Sequence, residues 1–240
     1  MTRDAITLLH LYPRDMNIYG DHGNVLALRR RLEWHGYPSR VIEYNQGDPF
    51  PDEVDLVVGG GGQDSGQNRV EVDLLRQAIR LTDLALGGTP MLLVCGLYQL
   101  FGREFRTASG AVIRGIGLLD LETEATPRRI VGNTVVASDE FGDVVGFENH
   151  SGRTFLGPSL HPLGRVDPGS GNNGSDRGEG ARFENVIGTY LHGPVLPKNP
   201  RLADHLLRTA VERRFGEFRP GAIDDRLAGT AQRVAARRPR

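Results

Sequence analysis

Cysteine is almost missing from this 240-residue chain: Cys95 is the only one. That excludes an internal disulfide framework and a Cys-based zinc site, and it fits a reducing compartment. An excess of charge is missing too. Lys and Arg number 29 against 30 Asp and Glu, a formal net charge of −1, so no nucleic acid is implied as a partner. No apolar run approaches the length of a membrane span, and Met1-Thr2-Arg3-Asp4 leads into a short strand-like run rather than a signal peptide. The expectation is a cytoplasmic protein without membrane insertion. Internal repeats are missing. So are a Walker pattern with its Lys-Ser/Thr and a G-x-G-x-x-G opening a helix.

What is present is alternation. Ala5–Tyr12, Arg40–Tyr44, Val54–Val58 and Pro90–Val94 are short apolar runs that read as strands. Between them, Asn24–Trp34 has helical spacing with Gly36 as its stop. Val70–Leu86 reads as one amphipathic helix, with Leu74, Leu75, Ala78, Ile79, Thr82 and Leu86 on a shared face. This is the order of an α/β fold with a mainly parallel central sheet flanked by helices. From about Gly115 the pattern turns β-rich, with Arg129–Val136 and Val144–Glu148 expected to be hairpin-connected. Gly169–Asp176 reads as a flexible surface loop. Asn185–Gly193 is a last strand with its exit turn, and Leu202–Phe215 a closing helix. Residues 1–216 are expected to form the domain, and 217–240 an Arg/Ala-rich, partly disordered tail.

Cys95 ends the apolar run Met91–Val94, and Gly96-Leu97 opens a helix-like stretch. A strand, a sharp turn and a helix raise the turn residue above the sheet, the logic of a nucleophile elbow. A helix N-terminus there favours thiolate. The alternative is a small buried hydrophobe. His192 also follows a strand, so both residues fall at the C-terminal edge of a parallel sheet, where ligand sites form. An imidazole within reach of a thiol can take its proton and return it to a leaving amine; a packing histidine is the alternative. Gly59-Gly60-Gly61-Gly62 follows a third strand. Backbone N–H groups of Gly60 and Gly61, with those of Gly96 or Leu97, would suit an oxyanion hole; an ordinary tight loop would also use glycine.

Together the strand–glycine turn, the Cys elbow and the downstream His resemble class I, triad-type glutamine amidotransferases. Gly188-Thr189-Tyr190-Leu191-His192-Gly193 is similar to the cobyric-acid-synthase-like branch. Met16–Asn24, Gly146–Thr154 and Thr189–Asn199 resemble the glutaminase subunits of lipid II isoglutaminyl synthases. The resemblance implies a flavodoxin-like α/β domain that hydrolyses L-glutamine through a Cys95 thioester, with His192 as base. It also implies a substrate-binding arginine before Ile130-Val131-Gly132, which Arg129 matches, with Arg128 one residue away. A guanidinium fork suits the α-carboxylate of glutamine.

The resemblance further implies a heterodimer. No cofactor or metal is expected in this chain. ATP and Mg would sit on a Mur-ligase-like partner that amidates the D-glutamate α-carboxylate of lipid II. The chain departs from triad-type members in one respect. His192 is followed by Gly193-Pro194, with no carboxylate two residues on. Asp15, Asp21 and Glu148 are internal candidates to orient the imidazole, and the partner is another source. Two other readings are open at this level: a glutaminase for cobalamin-pathway amidation with a separate ATPase, and a non-catalytic scaffold.

Overall fold

The short apolar runs pair as their burial requires. In a computed structural model describing residues 4–239, the first half of the chain alternates strand and helix. It runs β1 (Ile6–Leu11), α1 (His22–Trp34), β2 (Ser39–Tyr44), β3 (Leu56–Gly59), α2 (Asp64–Arg76), α3 (Ala78–Leu86), β4 (Met91–Val94) and α4 (Gly96–Leu100). Strands dominate the second half. They are β5 (Glu104–Arg106), β6 (Val112–Arg114), β7 (Leu121–Ser138), β8 (Gly142–Leu156), β9 (Gly164–Val166), β10 (Gly178–Glu179), β11 (Ala181–Phe183) and β12 (Val186–Thr189). Then α5 (Pro200–Phe215) and α6 (Arg226–Ala236) follow.

The central sheet has the order β11-β12-β4-β3-β1-β2. All its neighbours are parallel except the β11–β12 edge. The residues of β1, β3, β4 and β12 are all buried, as expected of strands covered on both faces. This is the expected α/β architecture. A second, mainly antiparallel sheet is built around the long β7–β8 hairpin, the expected β-rich half.

Three local expectations need correction. The helix read over Val70–Leu86 is two helices, parted at Gln77 (φ −87°, ψ 1°). The break re-phases the inward stripe, which becomes Val70, Leu74, Leu81 and Ala85, while Leu75, Ile79 and Leu86 face solvent. Gly169–Asp176 is not a free surface loop. Asn172 is fully buried, and its amide bridges to Gly180 N–H and C=O at 2.9 and 2.8 Å. The Glu148 carboxylate accepts from Ser170 and Gly171 N–H. Composition marks such a loop, but the buried partners that pin it come from distant strands.

The tail is the third. Within 217–240, Arg226–Ala236 is helical. The buried Arg31 guanidinium forks onto Asp204 of α5 and onto Asp225 just before α6, at 2.6–3.0 Å. Gln232 donates to Asp143 C=O at 2.7 Å. An Ala/Arg sequence is a good helix former, and these two tethers give the helix a fixed place.

Candidate active site

β4 and β12 are adjacent and parallel, with Val94 in register with Thr189. The chain therefore leaves the sheet at Cys95 and near His192 side by side, and Cys95 N–H donates to Thr189 C=O at 2.8 Å. Cys95 adopts φ 50°, ψ −100°. That is a conformation a non-glycine residue avoids, costing about 1–3 kcal/mol, and such strain is common at functional turns. His192 is held by a two-way backbone pairing with Phe147 of β8. The loop beyond it is braced by Asn24, which accepts Leu196 N–H, and by Asn199, which bonds both Val145 backbone groups. Lys198 donates to Gly193 C=O. The motif residues around His192 thus position its loop.

Gly61 lies between the two. A Cβ there would stand 3.1 Å from both Cys95 Cβ and His192 Cε1. At Gly60 a Cβ would meet Met16 C=O at 2.2 Å. Glycine is required by the close approach of the Asp15–Met16 turn and of the Cys95–His192 pair. Two of the four amides expected to form an oxyanion hole are committed elsewhere: Gly61 N–H donates to Asp21 Oδ2 at 2.8 Å, and Leu97 N–H to Gly60 C=O at 3.3 Å. Gly96 N–H, next to the Cys95 sulfur in the chain, favours its thiolate.

The expected thiolate is not what the resting site favours. Burial first, then the Asp21 charge, push the Cys95 thiol up to about 12, against the opposing pull of Arg129 and Gly96 N–H. Burial, with His150 and Arg129, lowers His192 to about 3, and neither of its ring nitrogens has a hydrogen-bond partner. The five-residue α4 is outweighed by desolvation. Thiol and imidazole rest neutral.

Arg129 sits at the bulge that breaks β7 between Ala125 and Ile130, a device that re-aims a side chain. Its guanidinium donates to the Asn149 side chain and backbone carbonyl and to Tyr19 OH. It lines a cleft with Cys95, Tyr19, Gln67, Gln99 and His150, whereas Arg128 does not. The cleft holds about 70 Å³, small against the roughly 300–1,000 Å³ of ordinary ligand pockets. The site is closed at rest.

The three internal carboxylate candidates separate cleanly. Asp15 is bound to Arg69 on the surface. Glu148 is committed to Thr134, Ser170 and Gly171. Asp21 alone is buried beside the pair: a Gly61 Cβ would be 3.6 Å from its Oδ2, while its Oδ1 has no partner. Burial, offset by the Gly61 N–H, raises its pKa to about 6. It makes no hydrogen bond to His192. Tyr19 packs on the His192 ring at 4.3 Å, and His150 lines the cleft; neither is a residue that local sequence pattern marks. Tyr19 lies within Met16–Asn24 and His150 within Gly146–Thr154, but nothing in one sequence says which residue of either stretch faces a cleft.

Among the described residues, His10, His22 and Glu43 bring three potential metal-ligand atoms within 4.8 Å of one another. None of them lines the cleft. Neither ring nitrogen of His10 is hydrogen-bonded, whereas metal-ligating imidazoles are usually held by a second partner. Among the described residues, no helix is long and apolar enough to cross a membrane.

Comparison with known proteins accords with this geometry. Residues 7–200 match the model of the CobB/CobQ-like glutamine amidotransferase domain. The chain is 39% identical over 230 residues to the lipid II isoglutaminyl synthase (glutamine-hydrolyzing) subunit GatD of Staphylococcus aureus, covering 95% of this chain and 94% of that one. It is 37% identical over 215 residues to the same-named subunit of Streptococcus pneumoniae, covering 88% and 83%. A crystal structure of a glutamine amidotransferase superposes with a TM-score of 0.57 at 15% identity, over 84% of this chain and 98% of that one; it speaks for the fold alone. The chain belongs to the CobB/CobQ-like glutamine amidotransferase family and is a GatD-type member of it.

Proposed function

We propose that this chain hydrolyses L-glutamine and hands the ammonia to a partner subunit. The observation that carries this reading is that Cys95, at the exit of β4, and Arg129, at the bulge of β7, line one cleft, while His192, past the exit of β12, meets Cys95 across Gly61. Arg129 pairs with the α-carboxylate of glutamine. His192 takes the Cys95 thiol proton as sulfur bonds to the carboxamide carbon, giving a tetrahedral oxyanion. The proton passes to nitrogen, the C–N bond breaks and ammonia leaves a thioester. Water, losing a proton to His192, adds to the thioester; glutamate departs and the thiol is restored.

The neutral thiol, the engaged Gly61 and Leu97 amides and the small cleft support a site that is idle alone. In this reading the partner is a Mur-ligase-like chain that binds ATP and Mg and activates the D-glutamate α-carboxylate of lipid II. It opens the cleft and supplies, or leaves to Asp21, the acid that orients His192. Coupling hydrolysis to assembly prevents wasteful ammonia release. The relatives that this chain spans nearly end to end carry the GatD name, which favours this reading over cobalamin-pathway amidation. The retained Cys95–His192 pair disfavours a scaffold.

The test is ammonia release from L-glutamine by the chain with and without its co-purified ligase partner, followed by ATP-dependent amidation of lipid II. Stimulation by the partner on the order of 10–10³-fold is expected, below the roughly 10⁴ that loss of the orienting acid costs a serine triad. A folded complex that releases no ammonia from glutamine overturns the proposal.

A further inference from the structure

Beside Cys95 the cleft holds a histidine that the reaction as written does not use. His150 is 3% exposed, lies on β8, and is in register with Ile130, the residue after Arg129. Its ring lies flat on Tyr190, 3.7 Å between centroids and 8° between planes. The Tyr190 hydroxyl is itself fixed, by Gln99 at 2.9 Å and Thr154 at 2.6 Å. The ring therefore has one orientation. Its Nδ1 is 2.8 Å from Gly152 C=O. A carbonyl can only accept, so Nδ1 carries the hydrogen. Burial lowers this imidazole to about 3, so it is neutral at physiological pH. It follows that Nε2 presents a bare lone pair. Nε2 is buried and has no hydrogen-bond partner in the protein.

An unpaired acceptor, rigidly held in a cleft that Cys95 also lines, is costly unless a ligand donor completes it. Resting on the glutaminase reading above, we infer that His150 is a substrate-binding residue whose Nε2 accepts a hydrogen bond from the carboxamide NH₂ of glutamine. Its place in the cleft that Cys95 lines, where sulfur must meet the carboxamide carbon, supports the carboxamide over the α-ammonium. His150 heads the electrostatic influences on His192, ahead of Arg129, and His192 is the group that must reach the leaving nitrogen. The chemistry also gives a selectivity. Glutamate, the product, offers a carboxylate oxygen where glutamine offers N–H. Two lone pairs would then face each other, and product would be rejected. Sites built to hydrogen-bond a substrate N–H discriminate strongly against analogues lacking it.

The test compares two substrates on the full chain with its partner subunit: L-glutamine, and L-glutamate γ-methyl ester, which has no N–H on its leaving group. His150→Phe keeps the stacking ring and removes the lone pair. It should lose roughly 10- to 100-fold in kcat/KM on glutamine and less than about threefold on the ester. Inhibition by glutamate should stay as it is or tighten. His150→Gln, which restores an acceptor oxygen, should recover part of the loss on glutamine only. Equal losses on amide and ester would mean a structural role and would overturn the inference. Should His150→Phe not fold, imidazole ¹⁵N spectra of the full chain carrying Cys95→Ala, in complex with its partner subunit, decide. The Nδ1–H tautomer should be seen, with the Nε2 resonance moving on addition of glutamine but not of glutamate. An Nε2–H tautomer, or an unmoved resonance, sinks the proposal. Failure of the wild-type complex to release ammonia from glutamine is a different result and counts against the glutaminase reading itself.

Discussion

The Asp21 carboxylate accepts the Gly61 N–H at 2.8 Å, within the small volume shared by Cys95 and His192. The bond ties up an amide suited to an oxyanion and places a negative charge against the thiol. Asp21→Asn should therefore lower the Cys95 pKa, because the Asp21 charge is the largest influence after burial holding it up. Alkylation of the free chain by iodoacetamide at pH 7–8 should speed up several-fold. An unchanged or slower rate would show that Asp21 does not control the thiol.

Cys95→Ser and His192→Ala should each abolish ammonia release in the partnered enzyme, with little change in Tm. The double variant should be scarcely worse than either single one, because residues acting as one unit are not additive. Steady-state ammonia assays on all three variants check this. A double variant far below both singles would mean that the two act separately.

Arg129→Ala should raise KM for glutamine by roughly tenfold or more, with a smaller effect on kcat, through loss of a charge-assisted carboxylate pair. Arg128→Ala should do much less, since only Arg129 of the two lines the Cys95 cleft. If their effects were exchanged, the substrate would be read one residue earlier on β7.

Glu179 gives a pH-dependence of stability. It is fully buried and accepts Tyr190 N–H at 2.7 Å and the Thr189 hydroxyl at 2.9 Å. Burial, helped by the Glu148 charge and opposed by those two bonds, raises its pKa from 4.5 to about 8. A folded pKa above the unfolded one means that its stabilisation is full below pH 4.5 and is lost as pH rises through 8. Glu179→Gln keeps an acceptor and cannot ionise. The Tm of the variant minus that of wild type should climb between pH 4.5 and 8 and then level off. A difference that is flat across this range would show that Glu179 is ionised in the folded protein.

How far the sequence reached can be judged from particular residues. Short, apolar, buried strands have a plain signature, and Met91–Val94 ending at Cys95 was legible because a parallel strand must hand its next residue to the sheet edge. His192 was legible for the same reason. The helix face at Val70–Leu86 was misread because periodicity assumes an unbroken helix, and nothing local marks Gln77 as a break. The tail was misread because the partner that anchors Asp225 is Arg31, 194 residues away.

By itself, then, the sequence determined the α/β order, the strand–Cys95–helix turn and the placing of a thiol and an imidazole at one sheet edge, because these follow from hydrophobic period and from which residue ends a strand. Tertiary structure alone decided the state of that pair. A pKa, a committed amide or an unpaired Nε2 depends on burial and on neighbours brought from β7, β8 and the turn before α1. No local pattern encodes the loss of water at a site built from six separate segments.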